Sequence, residues 1–80
     1  MDDSTRQFSI VDNKTETREI LSAVYRALLI KGYNPINQIV GYILSEDPTY
    51  ITNYNNARGL ITRLDRDELL QVLVSSYLEK

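Results

Sequence analysis

The chain has two prolines, and each stands directly behind an Asx residue, as Asn34-Pro35 and Asp47-Pro48. Proline has no N–H to donate and clashes with the turn before it, so neither can sit inside a helix. At the first helical position the missing donor is one that would go unpaired anyway, and Asn or Asp before it accepts from the free amides. Each dipeptide therefore ends one segment of the chain and starts the next. Around them, the block from Gly32 to Arg58 (GYNPINQIVGYILSEDPTYITNYNNAR) gathers four of the six tyrosines and five of the six asparagines. Turn residues, aromatics and amides packed between plainer segments predict a shaped surface there.

The flanking segments read as amphipathic helices. Residues 1–12 show no helical period and are expected to form a flexible N-terminal arm, extended or loose. Asn13 with Glu16 has capping-box spacing, Thr15 being a competing cap, so the first helix is expected to begin near Asn13. Ile20, Leu21, Val24, Ala27 and Leu28 follow its buried stripe, and Gly32 suits the left-handed position after its end. Behind Pro35, the residues Ile36, Ile39, Val40, Ile43 and Leu44 form the tightest apolar stripe in the chain. Gly41 inside it costs about 1 kcal/mol against Ala and more often marks close approach of another helix than a hinge. Pro48–Thr52 reads as a single turn, because Thr49, Ile51 and Thr52 are β-branched. A further helix is expected over 53–64, with Ala57, Leu60, Ile61 and Leu64 inward. Asp65 and Glu68 then box the start of a last helix carrying Leu69, Leu70, Leu73, Val74, Tyr77 and Leu78. The expected fold is all-α: a compact bundle of four helices plus one short helical turn, with arm 1–12 ahead of a single helical domain 13–80.

Composition narrows the function classes. A domain of 80 residues buries a marginal core, and with no Cys there is no disulfide to staple it. Oligomerisation is the remaining standard remedy. No apolar run spans a membrane and the start MDDSTRQFS is not a signal peptide, so the expected location is cytoplasmic. A net charge of −2 disfavours nucleic acid as the main partner. The alternative reading, a helix-turn-helix-like nucleic-acid-binding regulator using the last two helices, meets acids at Asp65, Asp67 and Glu68 where phosphate would lie. Catalysis needs groups that titrate or attack near neutral pH; His and Cys are absent, and glycines 32, 41 and 59 make no phosphate loop. The acids at 65–68 suit a helix N-terminus and Glu46-Asp47 suits a turn and cap. No enzyme, metal site or cofactor is expected.

What remains is a binding surface. Tyr25 and Tyr77 lie beside apolar stripes and are expected to be partly buried, while Tyr33, Tyr42, Tyr50 and Tyr54 sit among the amides. A fold-holding network and a protein-binding face both fit this cluster, since Tyr with Arg is the composition of interface hot spots. Tyr54, Arg58, Arg63 and Arg66 are the candidate partner contacts. In the arm, Thr5 is open to a modifying enzyme; a phosphate there would add about −1.5 to −2 charge and could pair with arginines.

GYNPINQIVGYILSEDPTYITNYNNAR, then LDRDELL and a terminal YL, resembles the IreB family of regulatory phosphoproteins (also called ReoM) over nearly the whole chain. The resemblance implies a compact all-helical homodimer without enzymatic activity. It further implies a substrate of a PASTA-domain Ser/Thr kinase and its cognate phosphatase. Such a protein regulates peptidoglycan synthesis through Clp-dependent proteolysis of an early precursor enzyme, with a Clp protease-linked adaptor as partner. The family's T-x-x-F phosphoacceptor motif is matched by Thr5-Arg6-Gln7-Phe8, which makes Thr5 the leading modification site. Where the family commonly reads SGDPAYIPR, this chain has Ser45 to Asn53 as SEDPTYITN. Glu46, Thr52 and Asn53 thus replace a glycine, a proline and an arginine, and Thr62 replaces a basic residue. The arginine-rich face is thinner, leaving Arg58, Arg63 and Arg66.

Overall fold

A computed structural model describes the backbone of residues 2–79 and the side chains of residues 15–79. Among the described residues there are helices and turns but no strand. Helix α1 is Asp2–Ile30, α2 is Pro35–Ser45, α3 is Ala57–Ile61 and α4 is Arg66–Leu78. Two single 3-10 turns, Pro48–Tyr50 and Tyr54–Asn56, lie between α2 and α3. The expected all-α fold of four helices is present. The expected helix over 53–64 is instead a 3-10 turn followed by a short α-helix. Asn55 and Asn56 both take the left-handed conformation (φ 52° and 59°), which no continuous helix accommodates.

The start of α1 also departs from expectation. Backbone helix extends to Asp2, well before the start expected at Asn13, and no Gly or Pro between residues 2 and 31 breaks it. The backbone of the arm expected over 1–12 is thus helical from Asp2, while the Asn13 cap concerns a side chain that lies outside the described residues. At its other end α1 closes as the sequence predicts. Gly32 is left-handed (φ 85°), its N–H donates to the Leu29 carbonyl at 3.0 Å, and Tyr33 N–H donates to the Leu28 carbonyl at 2.9 Å. This is the Schellman pattern, which pairs carbonyls the helix end would leave open. Asn34 then caps α2, its side-chain oxygen accepting from the Asn37 N–H at 3.1 Å, with Pro35 in the first turn.

The core is one cluster. It holds Ile20, Val24, Ala27 and Leu28 of α1, Ile39, Tyr42 and Ile43 of α2, Ile51 of the connection, Ala57 and Ile61 of α3, and Leu69 of α4. Helix α1 is its backbone and packs chiefly on α3 and α2. The α1 and α3 stripes fall where periodicity puts them, with Leu21, Leu60 and Leu64 partly buried against the cluster.

Two stripes do not. On α2 the residues Ile36, Val40 and Leu44 face outward, and Pro35, Ile39, Tyr42 and Ile43 face the core. The helix is apolar around most of its girth, so periodicity cannot choose between two overlapping faces; packing against α1 does. On α4 only Leu69 is buried, and Leu70, Leu73, Val74, Tyr77 and Leu78 stand exposed. Tyr77 is likewise exposed, at 77%, against the partial burial expected of it, whereas Tyr25, at 42%, has more than half its surface covered. Helix α4 meets α1 through few residues, and a small chain has one core to share out.

Gly41 marks a close approach, but by a ring from a turn. A Cβ built there would lie 2.5 Å from Tyr50 Cε1. Gly41→Ala should therefore destabilise the domain by about 1–3 kcal/mol through overpacking. In a Tyr50→Ala background the same change should stabilise it by about 1 kcal/mol through helix propensity. Urea unfolding of the four proteins tests the change of sign; equal effects in both backgrounds would show that the ring is not the obstacle.

Candidate functional site

The connection from α2 to α3, residues 45–56, runs as a strap across the core. Its inward anchor is Ile51, which is fully buried. The path is set by local bonds at each corner. Glu46 ends α2 in the left-handed conformation (φ 61°), its N–H donating to the Tyr42 carbonyl at 2.8 Å. Ser45 Oγ donates to the Gly41 carbonyl at 2.7 Å and accepts from the Asp47 N–H at 3.1 Å. Asp47 Oδ1 accepts from both the Thr49 N–H, at 3.0 Å, and the Thr49 hydroxyl, at 2.7 Å. Those two bonds, hydroxyl first, hold the Asp47 carboxyl below its ordinary value of 3.8, with help from the Arg58 charge.

Either side of the buried anchor, side chains from the helices grip the strap's own carbonyls. Gln38 Nε2 donates to the Tyr50 carbonyl at 2.9 Å, and Arg58 Nε donates to the Ile51 carbonyl at 2.9 Å. Both bonds pair carbonyls of the connection with side-chain donors; the first is exposed and the second part-buried. Beyond Ile51, Thr52 Oγ1 accepts from the Tyr54 N–H at 3.2 Å and the Thr52 carbonyl accepts from the Arg58 N–H at 3.1 Å. The Tyr54 ring lies under Lys31, with Nζ 5.5 Å from its centroid, so the strap also touches the end of α1.

The four candidate contacts are therefore not one free face. Arg58 is half-buried and spends its Nε on the strap. Arg66 donates from Nη1 to the Ile43 carbonyl at 2.9 Å, and its Nη2 meets Glu46 Oε2 at 2.5 Å. It closes the carbonyl end of α2 and ties the first turn of α4 to it. Arg63 Nη2 bonds Glu16 Oε2 at 2.7 Å, with both side chains well exposed. Tyr54 is partly exposed over Lys31. Thr5 lies on α1 by its backbone, and its side chain is outside the described residues.

Sequence reading missed three participants. Ile51 read as a helix-breaking β-branched residue and is a core anchor. Glu46 read as a turn acid and is the partner of Arg66; its left-handed backbone explains why a glycine would suit that position. Glu16 read as the second half of a capping box and pairs with Arg63. No local signal could have shown the last pair, because its members are far apart in the chain.

The last two helices give a helix-turn-helix reading little purchase. Helix α3 has five residues, and α4 opens behind the Asp65 cap with exposed Asp67 and Glu68. Among the described residues no three His, Cys, Asp or Glu stand close enough to hold a metal ion, and no helix is long and apolar enough to cross a membrane.

The fold and the strapped core define a small all-helical domain. The family model described as the IreB regulatory phosphoprotein matches residues 3–79, nearly the whole chain. The chain belongs to the IreB family.

The Asp47 carboxylate gives the strap a defined acid sensitivity. A lowered folded value means its contribution is complete above about pH 3.8 and is lost as pH falls through the folded value. Carbon-13 NMR titration should give Asp47 a midpoint below 3.8, moving upward in Thr49→Ala. An unmoved midpoint would mean the hydroxyl bond is not the cause.

Proposed function

We propose that this protein is a non-enzymatic, phosphorylation-switched regulator of cell-wall synthesis that acts by binding other proteins. The observation that carries the reading is the family match across residues 3–79. On this reading a PASTA-domain Ser/Thr kinase modifies Thr5, its cognate phosphatase reverses the change, and the protein controls Clp-dependent proteolysis of an early peptidoglycan-precursor enzyme through a protease-linked adaptor. The setting is the cytoplasm.

The geometry sorts the arginines by their availability to a partner or a phosphate. Arg66 is the least available, since moving it would open the end of α2 and leave Glu46 alone. Arg58 can offer its terminal nitrogens while keeping its Nε on Ile51. Arg63 is the easiest to recruit, because an exposed ion pair such as Glu16–Arg63 is worth about 0–1 kcal/mol and exchanges readily. A phosphate carries more charge than Glu16 and would compete well for the same guanidinium.

A homodimer fits the faces the single chain leaves open. The outer stripe of α2 (Ile36, Val40, Leu44) and the exposed apolar residues of α4 are large for a small domain. Sedimentation should give close to twice the 9.2 kDa chain mass, and Val74→Glu with Leu78→Glu should return it to one. A wild-type mass near 9.2 kDa would remove the dimer.

For the switch, kinase treatment followed by mass-spectrometric mapping should place phosphate on Thr5 and none in Thr5→Ala. A pull-down with wild type, Thr5→Ala and the phosphorylated form should recover the adaptor in proportion to modification state. Phosphate on another residue, or a partner indifferent to it, would overturn the assignment. Arg63→Ala should weaken the phosphorylation-dependent part of binding while leaving helicity by circular dichroism unchanged.

A further inference from the structure

Five arginines have described side chains, and the fold uses three of them: Arg58 on the Ile51 carbonyl, Arg63 on Glu16, and Arg66 on α2 and Glu46. Arg18 and Arg26 are exposed and form no ion pair or hydrogen bond among the described residues. Both belong to α1. They are eight residues apart, which places them about 12 Å apart along the axis and about 80° apart around it. Ser22 and Tyr25 lie between them, and Leu29, also exposed, continues the same side. This side is opposite the stripe of Ile20, Val24, Ala27 and Leu28 that holds the core.

Leu21, Ser22, Tyr25 and Arg26 line an open concavity of about 340 Å³. Being shallow and walled largely by one helix, it cannot enclose a small molecule, but it can seat one apolar side chain of an approaching segment. Among the described residues Glu19 is the one acid on this side, so the two arginines leave it net positive on a chain whose net charge is −2. Like-charged proteins are repelled by such a patch and acidic ones are steered to it.

We propose that the Arg18–Ser22–Tyr25–Arg26 face of α1 is a docking surface for an acidic segment of a partner protein. Two carboxylates of that segment pair with Arg18 and Arg26, and one aliphatic or aromatic side chain between them packs on Tyr25 and Leu21. Exposed guanidinium–carboxylate pairs give modest affinity and strong salt dependence, so the surface supplies selectivity and a fast encounter. It uses none of Thr5, Arg58, Arg63 and Arg66, and it stands whether or not Thr5 is the phosphoacceptor.

The test uses the full chain and a designed helical peptide with two Glu eight residues apart and Leu and Phe between them on one face. A control peptide carries Gln in place of both Glu. Nitrogen-15 NMR titration at low salt should move the amides around Arg18, Ser22, Tyr25, Arg26 and Leu29. Arg18→Gln with Arg26→Gln should weaken binding roughly tenfold, as should the Gln peptide, and Tyr25→Ala should weaken it several-fold. Because these side chains lie off the core, circular dichroism should be unchanged. Equal affinity for the charged and Gln peptides, or shifts confined to the Arg58 and Arg63 region, would overturn the proposal. So would a change of sedimenting mass in the double variant, which would assign this face to a second copy of the chain.

Discussion

Burial of Ile51 is the constraint on which the rest of the structure depends. It lies in a segment with no regular helix of its own, yet its side chain is as deep as any in the core. Removing a buried isoleucine typically costs about 2–5 kcal/mol, a large share of the stability of a domain this small. The carbonyls on either side of its Cα are bonded by side chains of the helices, Gln38 and Arg58. The Tyr50 ring lies on Gly41, and the left-handed corners at Glu46, Asn55 and Asn56 let the chain enter and leave.

This arrangement ties function to fold in a particular way. The arginines that look like a recognition cluster in sequence are divided by the strap into different duties. Arg66 is built into the junction of α2 and α4, Arg58 is shared between the strap and the surface, and Arg63 is held only by an exposed carboxylate. A change of charge at the surface can therefore recruit Arg63 cheaply and Arg66 only by disturbing the helix it caps. Family membership states that regulation is the role; the structure states how firmly each of these side chains is held by its present partner.

Much of the fold was legible because its signals are local. Asn34-Pro35, Asp47-Pro48, Asp65 and Gly32 act within a turn of themselves, and each does what its chemistry predicts. The α1 stripe was readable because its polar side is distinctly polar. Where the apolar residues of a helix cover two overlapping faces, as in α2, periodicity loses its power, and Ile36, Val40 and Leu44 face solvent and not the core. Successive left-handed asparagines were also invisible: Asn tolerates that conformation, but tolerance does not announce its use.

The sequence by itself determined the end of α1 at Gly32, the starts of α2 and α4, that the chain is all-α, and the family to which it belongs. Capping, proline geometry and glycine conformation operate over three or four residues, so one dimension is enough to read them. The tertiary structure alone decided that Ile51 is a core residue, that Gly41 makes room for a ring, and that Glu16 and Glu46 claim Arg63 and Arg66. Those outcomes depend on which faces meet and on pairings between distant residues. Because packing engages three of the arginines with described side chains, it also decides that, among these, Arg18 and Arg26 are left to the solvent.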